Sequence, residues 1–317
     1  MSAASVVTLG ETMALVRTTE IGSLQHAHGL ALGVGGAESN VAIGLARLGA
    51  AVSWLGRVGD DSLGERVRRE IRGEGVVVHA IVDDGAPTGL MVKERPSAAS
   101  TAVMYYRAGS AGSRVAAHDL PEGWVERASL LHVTGITPLL SATARAAVLS
   151  AVDRARAAGV TVSFDINYRS ALATPAAAGP VLREIAERAD IVFGGDDEFA
   201  ILYPETSPAD AAALLRDAGC ATTVVKQGPD GATVYASGVV TASPGFVIDP
   251  IDTVGAGDAF VAGYLSALLE GFDVASTLRR ANATGAMACL TPGDWEAAPT
   301  RRDLERFLAG DADPVRR

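Results

Sequence analysis

From residue 130 onward, short apolar runs alternate with longer stretches whose apolar positions recur every three or four residues. LLHVTG (130–135), VTVSFDIN (160–167), DIVFG (190–194), TTVVKQG (222–228) and GATVYA (231–236) have the length and β-branched content of buried strands. Residues 142–158, 177–188, 196–202 and 209–218 carry the helical period, and Gly159 stands where the first of these must stop. Strands alternating with helices predict a parallel sheet covered on both faces, with ligands collecting beyond the carboxyl ends of the strands. Asn167, Gly195, Gly228 and the loop before Asp258 all fall just after predicted strands, so they converge on one cleft.

The first third of the chain is patterned differently. Residues 6–9 and 52–56 read as buried strands, while 12–32 mixes apolar residues with His26, His28 and Gly29 without a helical period, suggesting small antiparallel strands. TGLMVKE and STAVMYY, within 88–106, alternate partially and predict a hairpin. A helix is predicted over 41–48, with Ser39 or Asn40 as its cap and Gly49 as its end. Ser62-x-x-Glu65 reads as a capping box for a second helix, whose buried stripe is Leu63, Val67 and Ile71. Two strand-only patches, near 12–36 and 86–107, predict one small β-strand lid inserted into a single α/β domain of residues 1–310, with 311–317 as a tail.

Residues 248–271 form the most informative stretch. Phe260, Val261, Tyr264, Leu265, Leu268 and Leu269 make one buried helical stripe, and Gly271 sits where a terminating glycine belongs. Gly255, Ala256 and Gly257 precede it, so a glycine turn would bring free N–H groups and the Asp258 carboxylate to the positive end of a buried helix. Such a turn can hold the negative charge of a transferring phosphoryl group while Asp258 takes a proton from an attacking hydroxyl. The plainer alternative is an aspartate capping a core helix. A dinucleotide fingerprint is not matched at 33–36. Neither Lys93 nor Lys226 lies in GxxxxGK[ST], and the protein-kinase HRD and DFG strings are absent, so any ATP must use the glycine turn. A second helical run spans 273–290 and contains Asn282, and Thr300 is placed to cap a last helix.

Composition narrows the partners. A net charge of −10 and a pI near 5.0 argue against nucleic acid and anionic membranes as partners. Lys93 and Lys226 are the two lysines, and arginine carries the rest of the positive charge. Cys220 and Cys289 have no CxxC spacing and read as reduced core thiols. No basic n-region with a long apolar segment follows Met1, and no apolar run reaches about 18 residues, so a soluble cytoplasmic protein is expected. His132 reads as a satisfied interior histidine, and no histidine spacing suggests zinc. Glu11 is placed either to bind a sugar hydroxyl or to cap the first strand.

DTVGAGDAFVAGY (252–264) resembles the C-terminal signature of the ribokinase-like (phosphofructokinase-B) carbohydrate kinases, and GGAESNVAIGLARLG (35–49) with GRVGDDSLGE (56–65) resembles their N-terminal one. Within that family, YYRAGSAGS, HVTGITP, DINYR and GDWEAAP are most similar to the 2-keto-3-deoxygluconate kinases. The resemblance covers nearly the whole chain. It implies the ribokinase-like fold, a parallel-sheet sandwich with helices on both faces and a small β lid, and ATP-dependent phosphorylation of the terminal C-6 hydroxyl of 2-keto-3-deoxy-D-gluconate or a close sugar acid. It makes Asp258 the catalytic base, Gly255, Ala256 and Gly257 the anion hole, and Arg169 an arginine reaching substrate and transferred phosphate. It assigns substrate contacts to Gly36, Met91, Tyr105, Arg107, Ile136 and Asp294, and ATP contacts to Asn167, Gly195, Lys226, Gly228, Gly231, Gly255, Gly257 and Asn282.

The residue types suit that chemistry. Arginine binds a carboxylate in a bidentate fork, and tyrosine offers a hydroxyl beside an apolar face. Two departures stand out. The family's Asn-x-x-Glu motif, which orders Mg²⁺ and its waters, is Gly195-Asp196-Asp197-Glu198 here, so Glu198 is expected to hold magnesium only through water. Met91 replaces a frequent tyrosine, which leaves a kinase for a neutral sugar such as fructose or ribose as an alternative, and a non-catalytic sugar-acid binding protein as a second. The wider family also implies a monovalent cation (K⁺) near Asp252 and a homo-oligomer formed through the lid edges.

Overall fold

The computed structural model describes residues 5–97 and 100–310. The chain opens with β1 (Ser5–Leu9), crosses to the pair β2 (Met13–Thr18) and β3 (Leu30–Gly35), and returns through α1 (Ala37–Arg47) to β4 (Ala51–Gly59), α2 (Ser62–Gly73) and β5 (Val77–Asp83). The hairpin β6 (Leu90–Ser97) and β7 (Ser100–Tyr106) follows. A regular alternation runs through β8 (Leu130–Thr134), α3 (Ala142–Ala158), β9 (Thr161–Asp165), α4 (Pro175–Ala186), β10 (Ile191–Gly195), α5 (Asp196–Leu202), α6 (Pro208–Ala218) and β11 (Thr222–Lys226). β12 (Ala232–Ala236), β13 (Val239–Ser243), α7 (Ala256–Leu269), α8 (Val274–Ala288) and α9 (Arg301–Ala309) complete the described residues.

Nine strands form one sheet in the order β13-β12-β11-β10-β9-β8-β1-β4-β5, parallel from β11 to β5. Its two faces carry separate cores. On one, Val148, Leu182, Phe199 and Leu215 from α3, α4, α5 and α6 pack on Leu131 and Phe164. On the other, Val41, Ile71, Leu265 and Leu278 from α1, α2, α7 and α8 pack on Trp54 and Phe193. Full burial of each such large side chain stabilises by roughly 1.5–3 kcal/mol. α7 is buried from Asp258 to Ala267 because it lies between α1 and α8, which is why its sequence is apolar on nearly every side.

The structure corrects the sequence reading at four places. α1 begins at Ala37 with Gly36 as its N-cap, so Ser39 and Asn40 lie inside the first turn: Ser39 Oγ folds back to donate to Gly36 O, and Asn40 is freed for other work. Asp61, not Ser62, caps α2, accepting from Gly64 N at 2.7 Å. β12 is antiparallel to β11, because the residues between them, 227–231, are too few for a crossover. β13 pairs with β12 through a two-residue turn in which Ser237 (φ 52) and Gly238 (φ 76) are both left-handed, as a type I′ hairpin requires. The expected tail, 311–317, lies outside the described residues.

The segments near 12–36 and 86–107 do form one small sheet, in the order β3-β2-β6-β7. β2 and β6 at its centre are parallel, and the outer pairs are antiparallel. Register places Leu15, Met91 and Tyr105 in one row and Lys93 and Val103 in the next, on the face toward the main sheet. Leu32, Val16, Val92 and Met104 align in a row on the opposite face.

Candidate active site

Two cavities meet at the first turn of α7. Gly255, its N-cap, has φ +80 and ψ −8, and a Cβ there would overlap the carbonyl oxygen of Asp294, so only glycine fits. Among the described residues the N–H groups of Gly255 and Gly257 have no hydrogen-bond partner, while that of Ala256 lies 3.3 Å from Thr253 O. The anion hole expected at three residues thus has two unengaged amides and one already in a long turn bond. They stand at the positive end of a 14-residue helix.

Asp258 is buried one residue further on. Its Oδ2 accepts from Asn40 Nδ2 at 2.8 Å and its Oδ1 from Asn167 Nδ2 at 3.2 Å. Burial pushes its carboxyl up to about 7; Asn40 and the Arg169 guanidinium hold it back, while Asp165 and Asp294 add to the rise. A carboxyl poised there exchanges its proton near neutral pH, the range in which a general base works.

The smaller cavity, about 70 Å³, opens onto Asp258, and all eight residues expected to bind substrate border it: Gly36, Met91, Tyr105, Arg107, Ile136, Arg169, Asp258 and Asp294. Arg107 donates through Nε to Glu11 Oε2 at 2.7 Å, with Nη2 2.5 Å from the same oxygen; its guanidinium lies 5.7 Å from the Tyr105 ring. Ser110 Oγ holds the other Glu11 oxygen. Glu11 is therefore neither a strand cap nor free for a sugar hydroxyl on that edge; it fixes Arg107. Arg169 is exposed, and Asp294 is half-buried, its carboxyl raised by desolvation and held by Asn40 Nδ2 at 3.2 Å.

The larger cavity, about 620 Å³, is bordered by Lys226, Gly228, Gly231, Ala256, Gly257 and Asn282, with an apolar wall that includes Phe246 and Val247. Lys226 Nζ bonds both oxygens of Asp165, at 2.7 and 2.9 Å. Burial pulls its ammonium down, but Asp165 and Glu198 outweigh that and raise it. Asn282 Nδ2 donates to Ser243 O and Pro244 O at 3.1 and 3.0 Å, so it builds the wall. Asn167 and Gly195 do not border this cavity. Asn167, left-handed at φ 38, turns its amide onto Asp258, and Gly195 N donates to Glu198 Oε2 at 2.8 Å.

Glu198 Oε1 also accepts from Tyr168 N at 2.7 Å, and burial raises its carboxyl. Among the described residues no group of three or more His, Cys, Asp or Glu could hold a metal ion directly. The oxygen donors present, Glu198 with Asp165 nearby, fit a hard dication that keeps its waters and takes most of its ligands from phosphate. A monovalent cation at Asp252 does not fit: Asp252 Oδ2 is 2.6 Å from Lys93 Nζ, with the two side chains 1% and 3% exposed.

Asn40, Glu11, Asp165 and Lys93 are the site residues that sequence reasoning missed or left open. Asn40 was hidden by its plausibility as a cap; Lys93 carried a signal, as one of two lysines in an arginine-rich chain. His132 is only half satisfied: Nδ1 lies 3.0 Å from Ser163 Oγ, Nε2 has no partner among the described residues, and burial lowers its pKa to about 4. No described helix is long and apolar enough to cross a membrane.

Comparison with known proteins places relatives along nearly the whole chain. Residues 3–301 match the sequence model of the pfkB family carbohydrate kinases. The 2-dehydro-3-deoxygluconokinase of Bacillus subtilis (strain 168) is 37% identical over 311 residues, covering 96% of this chain and 95% of that protein. The 2-dehydro-3-deoxygalactonokinase of Haloferax volcanii is 36% identical over 310 residues, covering 97% of each. The crystal structure of a PfkB protein from Polaromonas sp. JS666 matches with a TM-score of 0.87 and 38% identity, over 96% of this chain and 99% of that one.

Proposed function

This chain belongs to the pfkB family of carbohydrate kinases, and from that premise we propose that it transfers the γ-phosphate of ATP to the C-6 hydroxyl of 2-keto-3-deoxy-D-gluconate or a close sugar acid. One observation carries the reading. Asp258 opens into a small cavity bordered by two guanidiniums, Arg107 and Arg169, while Gly257 on the same turn borders a cavity of nucleotide size. The names of the relatives, a gluconokinase and a galactonokinase of 2-dehydro-3-deoxy acids, support an acidic sugar.

In this mechanism the acid's carboxylate is met by Arg107, whose fork is held in place by Glu11, with Tyr105 beside it. Asp258 takes the proton of the C-6 hydroxyl as that oxygen bonds to the terminal phosphorus and the bond to the departing ADP oxygen breaks. The N–H groups of Gly255 and Gly257 hold the charge on the transferring phosphoryl group, and exposed Arg169 swings onto it. Ala256, Gly228, Gly231 and Lys226 shape the nucleotide side, with Asn282 supporting the wall. Glu198 would hold Mg²⁺ through water, and the ion would supply charge neutralisation on the nucleotide side. The small sheet acts as the lid over the sugar. Its opposite face, with Leu30 57%, Leu32 41% and Tyr106 63% exposed, supports association of two copies through that sheet.

Met91 favours one second reading. It puts a thioether, with no hydroxyl donor, on the sugar-side wall, which suits a neutral sugar as well as an acid. An ATP-coupled assay on 2-keto-3-deoxygluconate, its C-4 epimer, fructose and ribose separates the two. A higher kcat/KM for a neutral sugar would overturn the acid assignment, and binding of sugar acid without ADP release would leave a non-catalytic binder.

A further inference from the structure

Lys93 enters the site from the wrong side for an ordinary strand residue. It sits on the inner face of β6, 3% exposed, and reaches past the sugar cavity to the loops that shape the α7 turn. Its Nζ lies 2.6 Å from Asp252 Oδ2 and donates to Gly293 O at 2.7 Å. Asp252 in turn accepts from Val254 N at 3.2 Å and Gly293 N at 3.4 Å, and its own N–H donates to Cys289 O at 3.2 Å. Gly255 rests on the carbonyl of Asp294, next to Gly293. One ammonium therefore ties three pieces together: the small sheet, the 252–255 loop and the 289–294 loop.

The two oxygens on Nζ, a carboxylate and a main-chain carbonyl in a buried position, are of the kind that a small monovalent cation takes as ligands. A compact ammonium suits that pair; a planar guanidinium does not, and this chain uses arginine at every basic position except Lys93 and Lys226. We propose that Lys93 is the built-in monocation of the anion-hole turn: a positioning residue that fixes the Gly255–Gly257 amides and makes the enzyme independent of K⁺. The catalytic part of this rests on the kinase reading; the cation-site part does not.

The test uses the full chain, with choline chloride, NaCl, KCl, NH₄Cl and methylammonium chloride at equal ionic strength. Wild-type kcat is expected to be the same in all five. Lys93→Ala should lose about 10²-fold in kcat and regain part of it with K⁺, NH₄⁺ or methylammonium, but not with choline. Lys93→Met, which drops the charge and fills the space, should lose activity without rescue. Independently of any sugar or nucleotide, the melting temperature of Lys93→Ala should rise with K⁺ or NH₄⁺ while that of wild type does not. Activation of the wild type by K⁺, near-normal kcat in Lys93→Met, or a Lys93→Ala protein whose melting ignores every cation would each overturn the proposal. If no sugar is phosphorylated at all, the kinase reading fails, and the melting experiment still decides the cation site.

Discussion

Asn40 and Asp258, 218 residues apart in sequence, face each other across 2.8 Å, Nδ2 to Oδ2. The donor comes from the first turn of α1 and the acceptor from the first turn of α7, so two helix starts hold the carboxylate between them. A hydrogen bond to a charged group is worth roughly 1.5 kcal/mol, or about one pH unit. Asn40→Ala should therefore move the rising limb of kcat/KM against pH to the alkaline side by about one unit. A shift toward acid would show that water entering the gap outweighs the lost bond.

Asp258→Asn should lower kcat by about 10²–10⁴. It also carries a stability signature that a bystander would lack. Burial raises this carboxyl from its ordinary 3.8 to about 7, so the folded state favours the protonated form. That contribution is fully present below pH 3.8 and is lost as pH rises through 7. At pH 8 the asparagine variant should be more stable to unfolding than wild type, by an amount on the order of a few kcal/mol less the cost of turning one amide against Asn167. The gap should vanish below pH 4, and an equal gap at both pH values would count against the buried base.

Arg107 and Arg169 border the same cavity but stand differently in the fold. Glu11 is buried with a 0% exposed side chain and depends on Arg107. Arg107→Ala should raise KM for the sugar acid and destabilise the protein by roughly 3–5 kcal/mol. Arg169→Ala should cut kcat while leaving stability within about 0.5 kcal/mol. Chemical denaturation beside steady-state kinetics reads both; equal stability of the two variants would mean that Glu11 does not need its partner.

The row Leu32, Val16, Val92 and Met104, continued by exposed Tyr106, gives the small sheet an apolar back. Sedimentation of the wild type is expected to give a dimer or larger, and Leu32→Glu with Tyr106→Glu to give the monomer. A monomeric wild type would remove the oligomer from the proposal.

Much of the architecture was legible because periodicity and punctuation agreed. α3 ends at Gly159 with φ 70, α5 spans the residues its pattern marks, and Gly271 follows α7 with φ 77. What failed was anything decided by tertiary partners. Asn40 resembles a cap in sequence, and only the distant carboxylate on α7 gives it another task. Gly195 and Asn167 stand at strand ends as expected, but left-handed backbone at one and Glu198 at the other turn their donors away from the larger cavity. The Lys93 pairing joins residues 93, 252 and 293, a combination that no local pattern encodes.

The first turn of α7 looks both ways: Gly255 and Asp258 border one cavity, Ala256 and Gly257 the other. On the proposed reading, donor and acceptor would be aligned by a single rigid object whose own helical geometry sets the spacing. In the proposed reaction, acceptor choice would fall to side chains that the small sheet lends to the smaller cavity, such as Met91, Tyr105 and Val103. Grafting a different inner face onto that sheet should retune which alcohol is accepted without disturbing the phosphate-handling apparatus, provided the lysine tether is carried along.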